Sequence, residues 1–277
     1  MQLAARLPDV EIVAIDAFTI YRGMDVGTAK PSEADRAAVP HHCVDLLEPD
    51  QDVTVSWFQQ VARTAIADVH ARGATPLLVG GSGLYFRAVV DDMRFPPTDP
   101  AVRAALEERW SSQPEAAHAA VAAADPTAAD RIEPGNVRRS IRALEVMELT
   151  GRPFSEYAVA ERRSVVGPLT VAYLEPPREV LRPSVESRAV AMVADGLVSE
   201  TAGLVQRIGA FSSTATQAIG YAEALQVLHG AMSEDTLADA ITIRTWGYAR
   251  RQRAWFRRDP RAASPARSVD EVVARLC

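Results

Sequence analysis

Short apolar runs alternate with an amphipathic stretch along the first third of the chain. Residues 11–15 form a run of mostly apolar side chains that ends at Asp16, and residues 75–79 form a second, which the Gly-Gly-Ser-Gly turn at 80–83 closes. Short continuous apolar runs are typical of strands buried on both faces of a parallel sheet. Between them, residues 55–72 carry apolar side chains at helical spacing. The order strand, helix, strand predicts an open α/β sheet.

The pattern changes after the first third. Residues 96–157 are rich in alanine, and the Asp-Pro pairs at 99–100 and 125–126 are typical helix starts. A third apolar run at 169–174 predicts another strand, and the chain after Glu179 is again mostly helical. We therefore expect four segments: the first part of an α/β core at 1–95, a helical insertion at 96–157, the remainder of the core with C-terminal helices at 158–262, and a loosely attached tail at 263–277.

The composition excludes several classes of protein. Hydrophobic residues make up 48% of the chain and charged residues 24%, which is ordinary for a soluble globular protein. No stretch approaches the roughly 20 apolar residues of a spanning helix, and the N-terminus lacks a signal-peptide layout. The two cysteines, Cys43 and Cys277, have no metal-ligand spacing. We expect a cytoplasmic protein with no membrane partner and no zinc.

The formal net charge of −6 conceals a strongly basic stretch. Seven arginines lie between Arg244 and Arg261, and four aromatic residues are interleaved with them. Arginine beside aromatic side chains suits contact with phosphates and stacking on bases. A solvated helix face is the alternative interpretation of such a charge run.

Two further features lie where ligands bind in open α/β sheets, beyond the carboxyl ends of the strands. Asp16 could act there as a general base or a metal ligand, or only cap a turn. The glycine turn at 80–83 could let backbone N–H groups approach an anion, or only allow close packing. We expect ordinary hydrogen bonding from the pair His41-His42. Lys30 is the single lysine, and no phosphate-binding G-x-x-x-x-G-K-[S/T] loop occurs.

Collinear segments over nearly the whole chain resemble the tRNA dimethylallyltransferase family, also called tRNA isopentenyltransferases. The most specific are YRGMDVGTAKP at 21–31 and QAIGY at 217–221. The remaining matching segments are PHHCVD at 40–45, VGGSGLY at 79–85, FPPTDP at 95–100, NVRRSIRALE at 136–145, TGRP at 150–153, YARRQ at 248–252 and Trp255-Phe256.

This resemblance implies a fold and an activity. It implies a P-loop-kinase-like parallel sheet core with a helical insertion and a helical C-terminal region. The implied reaction moves a dimethylallyl group from dimethylallyl diphosphate to the N6 amine of the adenosine just 3′ of the anticodon, with Mg²⁺. The implied partners are the tRNA anticodon stem–loop and the diphosphate, and we expect a monomer. The family's first strand and P-loop belong before Gln2 and are missing from this sequence, so we expect a start further upstream.

Roles carry over from the resemblance position by position. Asp16 corresponds to the base that accepts a proton from the adenine amine, and Arg188 to a residue that binds diphosphate. The residues implied to lie against tRNA are Ala17, Phe18, Thr19, Ser82, Arg103, Arg138, Arg139, Ser140, Ile141, Arg142, Gln217, Ala218, Ile219, Gly220, Tyr221, Arg250, Arg251 and Arg253.

Three positions depart from the family pattern. Ala17 and Thr19 stand where the family has serine and glutamine, and Ser184 stands where it has the first of two arginines. These departures and the missing P-loop favour an alternative, a catalytically impaired paralogue that only binds tRNA. A transferase acting on free adenine nucleotides is a third hypothesis, which the arginine-rich helix and the insertion disfavour.

Overall fold

The structure is a computed structural model that describes residues 1–158, 163–262 and 264–276. Cys277, residues 159–162 and residue 263 lie outside the described residues. The chain divides into two compact units. The first combines Met1–Val90 with Val166–Cys277, and the second is Asp91–Val165.

The chain contains short strands and many helices. The strands are β1 (Val10–Ile15), β2 (His41–His42) and β3 (Thr75–Gly80). The helices are α1 (Glu33–Ala38), α2 (Val55–Ala71), α3 (Gly83–Val90), α4 (Pro100–Trp110), α5 (Pro114–Ala124), α6 (Pro126–Ala129), α7 (Val137–Thr150), α8 (Arg178–Ala194), α9 (Leu197–Ile208), α10 (Tyr221–Leu228), α11 (Leu237–Phe256) and α12 (Val269–Leu276).

A small parallel sheet in the order β2-β1-β3 forms the centre of the first unit. Ile12 of β1 lies opposite His41, and β1 and β3 pair from Val10 opposite Thr75 to Ile15 opposite Gly80. The predicted strands at 11–15 and 75–79 are therefore confirmed. Parallel neighbours need a crossover connection, and α2 lies on the connection between β2 and β3.

Helix α2 covers this sheet because one of its faces is apolar. Thr54 caps its first turn by accepting a hydrogen bond from the Trp57 amide, 3.2 Å away. Phe58, Ala62 and Ile66 follow at four-residue spacing and are buried in the same core as the β1 residues. Burial of a side chain as large as Phe58 contributes about 1.5–3 kcal/mol to folding. The helix predicted at 55–72 is confirmed.

The strand predicted at 169–174 is wrong. This segment belongs to no strand, and its ladder contact within the described residues is one parallel bridge between Leu174 and Ala266. An apolar run indicates burial, but a strand also requires a neighbouring strand, which the run itself does not specify. Leu169 still packs against the core of the first unit.

The second unit is built from α4 to α7 and a 3₁₀ turn at Phe154–Ala158. Asp99 and Asp125 cap α4 and α6 as the Asp-Pro pairs predict, since each side chain accepts backbone N–H groups of the following turn. Val121 and Ala143 are fully buried in its core. Gly151 ends α7 in the left-handed conformation, with φ of 64°.

Along the described part of the chain, no helix combines the length and the apolar character that crossing a membrane requires.

Candidate functional site

Asp16 directly follows the central strand β1 and is half-buried. Its Oδ1 accepts hydrogen bonds from the Phe18 amide at 2.7 Å and the Thr19 amide at 3.2 Å. Its Oδ2 makes no hydrogen bond to any described residue. One oxygen thus fixes the carboxylate, and the other is available to a substrate.

The glycine turn lies beside Asp16 because of the strand register. Ile15 pairs with Gly80, so Asp16 and Gly81 leave the sheet at the same end. A Cβ at Gly80 would overlap the Ile15 carbonyl, and one at Gly83 would overlap the Trp255 ring. Close packing therefore requires glycine at both positions.

Helix α11 covers this turn with three side chains near its C-terminal end. The Gln252 amide donates a hydrogen bond to the Gly81 carbonyl at 3.1 Å. Trp255 meets Phe86 edge to face, with 6.2 Å between ring centroids. Tyr248 lies close enough to Asp16 to interact with its charge. The carboxyl end of the sheet, the glycine turn and α11 therefore form one site.

Two tyrosines near Asp16 remain protonated at neutral pH. Burial raises the pKa of Tyr85 to about 12, and the charge of Asp16 adds to the effect. Burial also raises the pKa of Tyr248, and the charge of Asp16 contributes. Both hydroxyls can therefore act as hydrogen-bond donors. Sequence reasoning did not select Tyr85, Tyr248 or Gln252 as site residues, although all three lie in segments that carry the resemblance.

The segment 217–221 is only partly accessible. Gln217 is exposed and Ile219 half-buried, whereas Ala218 and Gly220 are buried and Tyr221 is fully buried. The Tyr221 hydroxyl donates to the Glu200 carboxylate and accepts from the Gly27 amide at 3.2 Å.

Tyr221 and Glu200 hold the loop at residues 24–30. Glu200 also accepts a hydrogen bond from the Val26 amide at 3.1 Å, and burial raises the pKa of its carboxyl. A Cβ at Gly27 would overlap the Tyr221 ring. At the end of this loop, the Lys30 Nζ is 2.6 Å from both Asp25 and Asp45. Lys30 therefore supports the loop, and its charge is already paired.

The basic residues predicted in the second unit fall into two groups. Arg138 and Arg139 are exposed, and their side chains have no ion pair among the described residues. Arg103 and Arg142 both pair with the carboxylate of Glu145, whose side chain is fully buried. Ser140 and Ile141, between these arginines in the chain, are buried.

Glu145 is the electrostatic centre of the second unit. Burial alone would raise the pKa of its carboxyl, but hydrogen bonds from Arg103, Thr98 and Arg142 outweigh that effect and lower the pKa to about 2. Arg142 also donates to the carbonyls of Pro96 and Pro97, at 2.8 and 2.9 Å. The cluster fixes the segment before α4 onto α7.

The arginine-rich part of α11 also contains paired and unpaired members. Arg250 is exposed with no charged partner among the described residues, and the Arg251 guanidinium lies 5.9 Å from the centroid of the Tyr248 ring. Arg253 Nε lies 2.9 Å from the Glu175 carboxylate. Arg188, on α8, is exposed and has no charged partner among the described residues.

The remaining predicted residues lie close to Asp16. Ala17 and Phe18 are half-buried against the core, and Thr19 is buried with no hydrogen-bond partner for its Oγ1 among the described residues. Ser82 Oγ accepts a hydrogen bond from the Tyr85 amide at 3.4 Å, at the start of α3.

Metal binding by the described residues depends on how their His, Cys, Asp and Glu side chains are arranged. No group of three or more His, Cys, Asp or Glu side chains among them is arranged to hold an ion. Mg²⁺ binds through one or two carboxylates together with substrate phosphates and water. The described residues therefore contain no cluster that would hold a metal through three protein side chains, whereas a Mg²⁺ held mainly by substrate phosphates would need fewer.

Comparisons with known proteins show the family of this chain. A model of the IPP transferase family matches residues 19–259. The tRNA dimethylallyltransferase of Kineococcus radiotolerans is 48% identical over 256 residues, which are 91% of this chain and 79% of that protein. The tRNA dimethylallyltransferase of Roseiflexus castenholzii is 44% identical and is covered to 88% of its length, against 96% of this chain.

Solved structures give the same result. The tRNA isopentenylpyrophosphate transferase of Bacillus halodurans matches with a TM-score of 0.65 and 32% identity, over 99% of this chain and 88% of that one. A eukaryotic dimethylallyltransferase acting on tRNA has the same fold, with a TM-score of 0.77 and 24% identity over 92% of this chain and 66% of that one. The fold and these relatives thus define a transferase of the α/β class. The chain belongs to the IPP transferase family.

Proposed function

We propose that this chain modifies tRNA by transferring a dimethylallyl group from dimethylallyl diphosphate to the N6 amine of the adenosine 3′ of the anticodon. The observation that carries the proposal is the half-buried Asp16 carboxylate, with Oδ1 held by two backbone amides and Oδ2 free of hydrogen bonds to described residues. The relatives named tRNA dimethylallyltransferase support the reaction class.

In this proposal, Asp16 acts as the general base. An aromatic amine is a weak nucleophile until its proton can leave, and a carboxylate within hydrogen-bond reach accepts that proton. The amine nitrogen bonds to the first carbon of the dimethylallyl group, and the bond from that carbon to the diphosphate oxygen breaks. The proton moves from N6 to Asp16 Oδ2, and diphosphate leaves with the bonding electrons.

The leaving diphosphate needs positive charge to stabilise it. We propose Arg188 for this role, since its exposed guanidinium has no charged partner among the described residues. Mg²⁺, which the resemblance implies, would add positive charge at the leaving diphosphate when bound. The steps proposed for this chain's own side chains are the proton transfer to Asp16 and the contact of Arg188 with diphosphate.

We propose that tRNA binds through the exposed arginines of both units. Arg138, Arg139 and Arg250 present guanidinium groups with no charged partner among the described residues, and Arg251 is exposed beside Tyr248. Phosphate contacts of this kind fix an RNA in position. The segment 96–157 then serves as a tRNA-contacting insertion, and the chain acts as a monomer.

The test is transfer of labelled dimethylallyl from its diphosphate to an anticodon stem–loop. Label in the adenosine 3′ of the anticodon, and none in a stem–loop with guanosine there, supports the proposal. RNA binding without transfer contradicts it and favours the impaired paralogue. Transfer to AMP in preference to the stem–loop favours the free-nucleotide transferase.

A further inference from the structure

Glu175 gathers three arginines around one buried carboxylate. Only 7% of the residue is exposed. Arg257 binds it through two atoms, with Nε 3.1 Å from Oε2 and Nη2 2.8 Å from Oε1. Arg253 Nε lies 2.9 Å from Oε1, and Arg267 Nη1 lies 3.9 Å from the same oxygen.

These three arginines come from two separate parts of the first unit. Arg253 and Arg257 lie at the end of α11, whereas Arg267 precedes α12 in the segment predicted to be a loosely attached tail. The Glu175 amide donates to the Ala266 carbonyl at 2.8 Å, and Arg267 Nη1 donates to the Glu175 carbonyl at 3.3 Å. Glu175 is therefore the residue that joins the end of α11 to this segment.

A stacked ring pair supports the same geometry. The rings of Tyr173 and Phe256, which lie close in the chain to members of this cluster, have centroids 5.1 Å apart and planes inclined by 15°. This stacking holds the end of α11 against the segment that carries Glu175. The backbone positions from which the Arg253 and Arg257 side chains extend are therefore fixed.

The cluster has an excess of positive charge that faces solvent. Three guanidiniums surround one carboxylate, and the side chains of Arg253, Arg257 and Arg267 are 52%, 45% and 51% exposed. Each guanidinium carries five N–H donors, of which Glu175 engages one or two. The remaining donors suit phosphate oxygens, which arginine binds with good geometry.

We propose that Glu175 is a positioning residue that assembles Arg253, Arg257 and Arg267 into a binding site for phosphates of the RNA backbone. The inference rests on the proposed function, because tRNA supplies those phosphates. Like charges repel, so without the carboxylate the three guanidiniums would separate, and their donors would no longer converge.

The test compares Glu175→Gln with Glu186→Gln in the full chain. Each variant changes the formal net charge from −6 to −5. Glu186 lies on the exposed face of α8 and pairs with Arg182. We measure binding of a labelled anticodon stem–loop over a series of KCl concentrations, with and without inorganic diphosphate. If net charge alone controlled binding, both variants would bind the stem–loop as tightly as wild type or more tightly.

The proposal predicts that Glu175→Gln binds the stem–loop about fivefold more weakly, the scale of one lost phosphate contact, despite its added charge. Glu186→Gln binds as wild type or slightly more tightly. Inorganic diphosphate does not displace the stem–loop from this site. Equal or tighter binding by Glu175→Gln overturns the proposal, and so does displacement by diphosphate, which would assign the cluster to the small substrate.

A second variant keeps the proposal testable if Glu175→Gln fails to fold. Arg267→Ala removes a half-exposed cation, and it should weaken stem–loop binding about fivefold and reduce the salt slope by about 1. Unchanged binding overturns the proposal. The transfer activity of the wild type is measured separately. Unchanged binding by the variants would refute the role of Glu175 but not the proposed reaction, whereas absence of transfer by the wild type would refute the proposed reaction.

Discussion

The Gln252 amide donates a 3.1 Å hydrogen bond to the carbonyl of Gly81. This bond joins the arginine-rich helix α11 to the turn that follows β3, beside the carboxylate of Asp16. A Cβ at Gly81 would overlap the Gln252 amide, so the Gln252 side chain would have to move and this hydrogen bond would break. The close approach of α11 therefore restricts Gly83 through the Trp255 ring, whereas the Ile15 carbonyl restricts Gly80.

Gly83→Ala should destabilise the protein and displace α11. The added Cβ would overlap the Trp255 ring, and overpacking of this kind costs about 1–3 kcal/mol. The measurement is urea-induced unfolding. Gly203→Ala is the control, since its Cβ meets open space within α9 and alanine there should stabilise by about 0.5–1 kcal/mol. Equal effects of both substitutions would show that Trp255 does not restrict Gly83.

Tyr221→Phe should destabilise the loop at residues 24–30. The ring remains, but Glu200 and the Gly27 amide each lose a hydrogen-bond partner, which costs about 1–3 kcal/mol for buried groups. Thermal unfolding measures the change. Tyr157→Phe is the matched control, because the Tyr157 hydroxyl makes no hydrogen bond to described residues. A Tyr221→Phe protein as stable as wild type would refute the supporting role.

Glu145→Gln should destabilise the second unit in a pH-dependent way. The folded-state pKa of about 2 lies below the ordinary value of 4.5. The ionised Glu145 carboxylate therefore contributes fully to the free energy of unfolding above pH 4.5, and this contribution is lost as the pH falls toward 2. It amounts to about 3 kcal/mol at pH 7 and about 1 kcal/mol at pH 3. The measurement is the difference in free energy of unfolding between wild type and variant at these two pH values.

Glu148→Gln serves as the control for Glu145, since Glu148 is exposed on the same helix and has no ion pair among the described residues. It should leave stability unchanged at both pH values. A difference between Glu145→Gln and wild type that does not shrink on acidification would mean that the charge of Glu145 is not what stabilises the unit.

Replacing Arg138 and Arg139 together by alanine should weaken RNA binding without affecting folding. Both side chains are exposed and have no charged partner among the described residues. If both contact phosphates, the slope of log affinity against log salt becomes less steep by about 2. Arg142→Ala should instead lower the free energy of unfolding, because it breaks an ion pair with the buried Glu145 carboxylate. An unchanged salt slope in the double variant would remove these arginines from the interface.

The sequence predicted the elements whose signals are local. The strands ending at Ile15 and Gly80 and the helix beginning at Val55 follow from apolar runs, a glycine turn and apolar side chains at helical spacing, all within or beside each element. The placement of Asp16 at the end of a strand followed from the same pattern, whereas the central position of that strand is shown by the structure.

Features that depend on distant residues could not be predicted in the same way. The run at 169–174 lacks a pairing strand among the described residues, and no property of the run itself indicates that. The burial of Tyr221 depends on Glu200 and Gly27, and the pairing of Arg253 depends on Glu175, in each case through contacts between residues far apart in the chain. A motif assigned both residues to a functional region, but only the contacts show that Tyr221 is buried and that Arg253 is paired with Glu175.

The role of Asp16 as the base is tested most directly by single-turnover transfer with Asp16→Asn. Asparagine can still accept the two amide hydrogen bonds through its Oδ1, but it cannot take up the amine proton. We predict that the rate of dimethylallyl transfer to the stem–loop falls by about 10²–10⁴-fold, while stem–loop affinity and unfolding temperature stay at wild-type values. Transfer by Asp16→Asn at the wild-type rate would contradict the assignment.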